Sequence, residues 1–164
     1  MSDPPIRKPV PACDDASSNV SEGRVSVELD GVEALRLLGS VSLGRIVFTR
    51  LALPTVRPVN HVVVDGDIVI RTHGDATLAR YAQQNGDPGA VVAYEADDID
   101  PDTHTGWSVV VTGYARLVTD PHELDRYRAL LRPWVSRRMD HAIRISPELV
   151  TGVRLTADDP PATA

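Results

Sequence analysis

The chain has 164 residues, a formal net charge of −6 and a pI of about 5.3. That balance argues against nucleic acid as the main partner, because phosphate backbones call for a basic surface. No apolar run approaches the ~18 residues of a membrane span, the first residues carry no signal-peptide pattern, and the single Cys13 excludes a disulfide framework and a cysteine metal site.

A cytoplasmic protein of one domain is therefore expected, spanning 28–156 between an N-terminal tail (1–27) and a flexible C-terminal tail (157–164). Residues 1–27 are rich in Pro, Ser, Asp and Ala and lack apolar periodicity. Asp30-Gly31-Val32-Glu33 has the form of a helix cap with a capping-box Glu, and Val32, Leu35 and Leu38 predict the buried stripe of a short helix. A strand is expected over Val41–Arg50. A second runs through Arg57-Pro58-Val59-Asn60-His61, and the Asp65-Gly66 hairpin signal leads into a third at Asp67–Thr72. Asp75 can cap a helix to about Gln84 with Leu78 and Tyr81 facing inward.

Ala90–Glu95 predicts a fourth strand, Ala96–Gly106 a polar loop, and Trp107–Thr119 a fifth strand with Gly113 at a bulge. Asp120-Pro121-His122-Glu123 begins another helix, with Leu124, Tyr127, Leu130 and Leu131 along its buried side. Ala142–Ile145 and Leu149–Leu155 supply two last strands. Strands joined by hairpins, with short helices at the crossings, imply a mainly β protein: an antiparallel barrel with helices packed outside it.

The strand 56–62 carries the clearest chemical signal. Alternation puts Arg57, Val59, His61 and Val63 on one face and Val56, Pro58, Asn60 and Val62 on the other. Pro58 cannot donate to a ladder, so the strand is locally an edge, a bulge or a place where a planar ligand meets the backbone. A solvent-facing edge in which Pro58 blocks aggregation fits the same residues. Ile70-Arg71-Thr72 runs into a helix whose Thr77 could join a phosphate cradle, and Trp107-Ser108 could cover a flat ligand or plug a barrel end. His61, His73, His104, His122 and His141 make no metal-pair spacing, and the run Glu95–Asp100 lacks the Gly and closing Glu of a calcium loop. No metal site and no acid–base residue is assigned.

In order, Gly44-Arg45-Ile46, Arg57-Pro58-Val59-Asn60 before an Asp-Gly turn, Ile70-Arg71-Thr72, Gly106-Trp107-Ser108-Val109 with Thr112-Gly113, and Ile145-x-Pro147 before Thr151-Gly152 resemble the flavin-binding split-barrel superfamily. Its type is pyridoxamine 5′-phosphate oxidase, and the similarity is greatest to the small actinobacterial and nitroimidazole-reductase-like branch. The resemblance implies a homodimer with FMN at the subunit interface and a small-molecule substrate, electron-poor or quinone-like. It places Arg57, Pro58, Val59 and Asn60 along the ring and Ile70, Arg71 and Thr72 near the ribityl-phosphate. Trp107 and Ser108 would come from the other subunit.

Where the family commonly has a phosphate-binding lysine, this chain has Leu78; Arg80 and Arg71 stand near to substitute, against a loss of ~1.5–3 kcal/mol. The Arg-x-His pattern of the vitamin oxidase is absent. The same fold with a deazaflavin coenzyme would draw on Arg45, Arg50, Arg57 and Arg80. A non-catalytic haem or flavin binder, with His61, His73 or His141 as haem ligands, or a split barrel without a cofactor, completes the alternatives.

Overall fold

The computed structural model describes residues 24–72, 77–84, 88–131 and 141–157. It contains strands β1 (Arg24–Glu28), β2 (Leu43–Arg50), β3 (Leu53–Val64), β4 (Asp67–Thr72), β5 (Ala90–Ile99), β6 (Gly106–Leu117) and β7 (His141–Ala157). The helices are α1 (Gly31–Leu38), α2 (Thr77–Gln84) and α3 (Pro121–Leu130). All strand pairings are antiparallel, in the order β1-β7-β4-β3-β2-β5-β6, and β6 also pairs with β7. The circuit of hydrogen bonds thus returns to β7, the mainly β split-barrel topology expected, with short helices outside it.

The circuit is uneven. β2 meets β5 only at Arg45–Val47. β4 pairs with β3 only at His61–Val64, so among the described residues Leu53–Asn60 has β2 on one side and no strand on the other. The edge that Pro58 foretold is there.

Local chemistry sets the element boundaries. The Asp30 side chain accepts from the amides of Val32 and Glu33, both at 2.9 Å, and so holds the first turn of α1. Glu33 does not reach back to complete a capping box; its carboxylate meets Arg36 and, on β7, Arg154 at 2.7 Å. The buried stripe of α1 is Ala34, Leu37 and Leu38, while Val32 is 82% exposed. Of the expected stripe, Leu38 is buried and Leu35 packs against the core, while Val32 turns outward because the sheet meets the side that carries Ala34. Asp65 and Gly66 adopt φ of 53° and 87°, the two left-handed positions of a type I′ turn. Asp120 caps α3 through the amide of Glu123, and Tyr127 and Leu131 are buried, but Leu130 is half exposed.

Four boundaries differ from the sequence expectation. Strand β1 lies in the segment expected to be tail, paired with β7 from Arg24↔Ala157 to Glu28↔Val153. The last strand, β7, runs to Ala157, two residues past the expected end at Leu155. β5 continues to Ile99 through the expected acidic loop, because Arg45 of β2 bonds Glu95 at 2.9 Å and Asp97 at 2.7 Å while Tyr94 and Ala96 point inward. The two expected last strands are one. The β6–β7 register shifts at Thr112/Gly113, pairing Thr112 with Leu149 and Gly113 with Pro147, so Glu148 is the extra residue of a bulge and Pro147 passes without a break. Gly113 is required there: a Cβ would stand 2.1 Å from the Ser146 carbonyl oxygen. The cap expected at Asp75 lies outside the described residues, as do Cys13, His73 and Trp134.

One core cluster fills the interior, with Leu38, Ile46, Phe48, Ile68, Ile70, Leu78, Tyr94, Val109 and Ile143 among its members. A smaller one, Val69, Val118, Tyr127 and Ala142, joins α3 to the outer face of β3, β4 and β7.

Candidate functional site

β2 and β3 supply the framework of the site. Alternation along β3 turns Val59, His61 and Val63 toward the main core and Val62 and Val64 toward α3. Arg57 shares the inward face, half-buried, with its guanidinium carbon 5.8 Å from the centroid of the Phe48 ring. That is the geometry of a cation held on an aromatic face. Phe48 also packs against Tyr81 of α2, ring centroids 5.8 Å apart.

Beside this aromatic pair opens a cavity of about 500 Å³, walled by Phe48, Thr49, Arg50, Thr77, Arg80 and Tyr81, with Leu51 at its rim. Arg50 and Arg80 are exposed. Among the described residues, Arg50, Arg57 and Arg80 have no carboxylate partner. The fold therefore brings together Arg57, Thr77 and Arg80 of the expected residues, with Arg50 of the deazaflavin alternative, and adds Phe48 and Thr49. Phe48 carried a signal, being the single phenylalanine of the chain and two residues from Arg50. Leu78 is buried in the main core. It faces away from the cavity, and Arg80, two residues on, lines it instead.

The other expected residues lie elsewhere. Ile70 is fully buried and Thr72 buried, both inward from β4. Arg71, between them, points to the opposite face and donates to the Leu131 carbonyl at 3.2 Å. Pro58 is exposed on the free edge, and Asn60 is half-buried on the same outward face. Trp107 is packed in the main core, and Ser108 lines a different cavity of about 370 Å³ with Glu28, Leu29 and Val150–Val153. A third cavity, about 700 Å³, opens between the α1–β2 connection and β3, with Ser40, Ser42, Arg45 and Asp97 on its wall. Arg45 is engaged by Glu95 and Asp97 there, so it is not a spare cation.

His61 has a structural arrangement. Its Nε2 donates to the Leu38 carbonyl at 2.8 Å, and its Nδ1 accepts from the Tyr94 hydroxyl at 2.8 Å. Burial holds the His61 pKa below its ordinary value, against the raising effect of the Leu38 carbonyl, and pushes the Tyr94 phenol far up. With both ring nitrogens engaged, His61 offers nothing to a haem iron. His141, the first residue of β7, pairs with Thr72 of β4.

Residues 30–156 match the family model described as Pyridoxamine 5′-phosphate oxidase. The chain belongs to this family. The oxidase-family chain is 56% identical over 135 residues to the uncharacterized protein Rv0080 of Mycobacterium tuberculosis, covering 82% of this chain and 89% of that one. Among solved structures, it is similar to a candidate pyridoxamine 5′-phosphate oxidase of Corynebacterium glutamicum, with 32% identity, a TM-score of 0.66, and 82% and 96% of the two chains covered. It also resembles an FAD binding protein of Mycobacterium smegmatis, with 32% identity, a TM-score of 0.58, and coverages of 79% and 98%.

The family fold is one of flavin-binding, oxidoreductase-like proteins, and the donor set here fits the anionic end of such a group. Arginines with no carboxylate partner among the described residues and the Thr49 and Thr77 hydroxyls surround one cavity, and from it runs the stretch of β3 that, among the described residues, has a strand on one side only. No helix among the described residues is long and apolar enough to cross a membrane.

Proposed function

We propose that this chain is a flavin-dependent oxidoreductase that reduces small electron-poor or quinone-like molecules, working in the cytoplasm as a homodimer. The observation that carries this reading is the cavity of Arg50, Thr77 and Arg80 beside the Arg57–Phe48 stack, in a family of flavin-binding proteins. The cavity receives the phosphate-bearing chain of the coenzyme, with FMN the smallest ligand of that class. The ring lies along the stretch of β3 around Pro58 that has a strand on one side only among the described residues, where Pro58 keeps other strands away. Arg57 holds the chain between ring and phosphate, its orientation fixed by Phe48. Ile70 and Thr72 contribute through the backbone and through packing beneath the site.

A bound flavin supplies the hydride and electron transfer; the protein binds it, orients it and sets its electron affinity through contacts at the ring edge. No side chain of the site is required as a general acid or base for that chemistry.

The test is a titration of apo protein with FMN, read by flavin fluorescence and by melting temperature. Arg57→Ala is expected to weaken binding by about tenfold or more, the loss of one charge-assisted contact, while lowering the apo melting temperature little. Equal affinity in the variant would place the site elsewhere. A Soret band in the purified protein would instead favour a haem binder.

A further inference from the structure

β3 and β4 part at His61. Their ladder runs from Val64↔Asp67 to His61↔Ile70 and stops there, although β4 continues through Arg71 and Thr72, which pair with Ala142 and His141 of β7. From His61 back to Leu53, β3 has therefore left β4 and, among the described residues, keeps only β2. A strand held on one side opens more readily than one held on both, so the fastening at the parting point decides the path the strand takes from there.

That fastening comes from two elements that do not neighbour this stretch in the sheet. The His61 ring donates to the Leu38 carbonyl at the end of α1 and accepts from the Tyr94 hydroxyl of β5, each at 2.8 Å. The same hydroxyl lies 3.4 Å from the Val59 carbonyl. Since β2 stands between β5 and β3, Tyr94 has to reach β3 beneath it. It passes at Gly44, the residue paired with Val59, where a Cβ would stand 2.6 Å from the hydroxyl oxygen. Both side chains are buried. An apolar pair would fill the same space and need no partners; a polar pair with its bonds satisfied fixes one arrangement of the elements it joins.

We propose that His61 and Tyr94 are positioning residues of the candidate site: they clamp β3 where β4 leaves it, and so set the path of the stretch through Pro58 on which the flavin ring lies. Both act through the backbone of β3. The proposal rests on the flavin reading above and adds to it the residues that hold the wall of the site.

Tyr94→Phe tests it on the full chain, because the change removes one oxygen and keeps the ring. Ile145→Val, in the same core but on β7, controls for a general loss of stability. In the apo protein, Tyr94→Phe is expected to speed hydrogen exchange about tenfold at the amides that β3 bonds to β2 before His61, while Ile145→Val speeds it no more there than elsewhere. FMN affinity is expected to fall about three- to tenfold in Tyr94→Phe, the weight of one neutral hydrogen bond, and less than about twofold in the control. At saturation, the shoulders on the absorption band of bound flavin should be blunted in Tyr94→Phe alone, since a ring on a looser wall samples more surroundings. Exchange that rises evenly across the sheet in Tyr94→Phe, or an FMN affinity that does not fall, would overturn the inference and leave the flavin reading standing. If the wild-type protein binds no FMN, the flavin reading falls and the inference with it.

Discussion

At the scale of single residues, the most consequential side chain outside the cavity is His61. It is 2% exposed and ties α1 to β5, taking the Leu38 carbonyl with one nitrogen and the Tyr94 hydroxyl with the other. Burial favours the neutral ring, in which donation from Nε2 leaves Nδ1 to accept from the Tyr94 hydroxyl. In the unfolded chain the ring titrates near 6.5, and burial lowers that value in the fold. The unfolded state therefore gains a proton first as pH falls. The stability that neutral His61 supplies is complete above 6.5 and is lost progressively as pH drops toward the lower folded value. His61→Gln is expected to destabilise by about 1–3 kcal/mol at pH 8, the cost of an unsatisfied buried partner, and by less at pH 5.5. Urea midpoints of both proteins at the two pH values read the difference; a gap that does not change with pH would mean that His61 does not titrate on unfolding. Gly44 belongs to the same device, since a Cβ there would stand 2.6 Å from the Tyr94 hydroxyl.

At the scale of elements, the hairpin between β2 and β3 is the strained one. Leu51 and Ala52 have φ of 49° and 63°, left-handed positions that cost an L-residue about 1–2 kcal/mol each. Glycine is free of that penalty but loses more backbone entropy on folding. Ala52→Gly is thus expected to stabilise by about 0.5–1 kcal/mol, seen as a higher urea midpoint with unchanged slope; a lower midpoint would show the turn to be relaxed as it is. Asp65-Gly66 announced its turn through composition, whereas Leu51-Ala52 announced nothing, because there the flanking strands impose the turn. The same contrast runs through the fold. Alternating apolar residues made β4 and β6 legible. β5 was cut short because its acidic half is held by Arg45, a partner fifty positions away. β7 was split at Pro147 because a bulge opposite Gly113 is a property of the pair of strands. In the candidate site, Arg57, Thr77 and Arg80 were visible as residue types, but strand parity separates Arg71 from Ile70 and Thr72, and Trp107 from Ser108. That parity can be counted in the sequence; which face meets the cavity depends on the closure of the sheet.

At the scale of the molecule, that parity bears on assembly. Ser108 lines a cavity on β6 and β7, while Arg57 and Arg80 serve another on β2, β3 and α2, so one subunit does not present both to one ligand. The proposed dimer resolves this if Ser108 of each subunit completes the site of the other. Mixed dimers distinguish the arrangements. Arg57→Ala and Ser108→Glu, the latter placing a carboxylate against the anionic ligand, should each abolish binding alone. Trp107 is unsuitable for the purpose, because its burial in the core would make a variant report folding. With shared sites, a dimer of one Arg57→Ala and one Ser108→Glu subunit carries both lesions in one site and none in the other. Random reassociation of equal amounts makes half of the dimers mixed, each with one intact site of two, so about a quarter of wild-type binding capacity returns. With both residues serving the site of their own subunit, every site in the mixture carries a lesion and no capacity returns. Capacity is read by fluorescence titration after unfolding and refolding the two variants together, and light scattering confirms that dimers have formed. Recovery near zero in confirmed mixed dimers would confine each site to one subunit and remove Ser108 from the ligand of its partner.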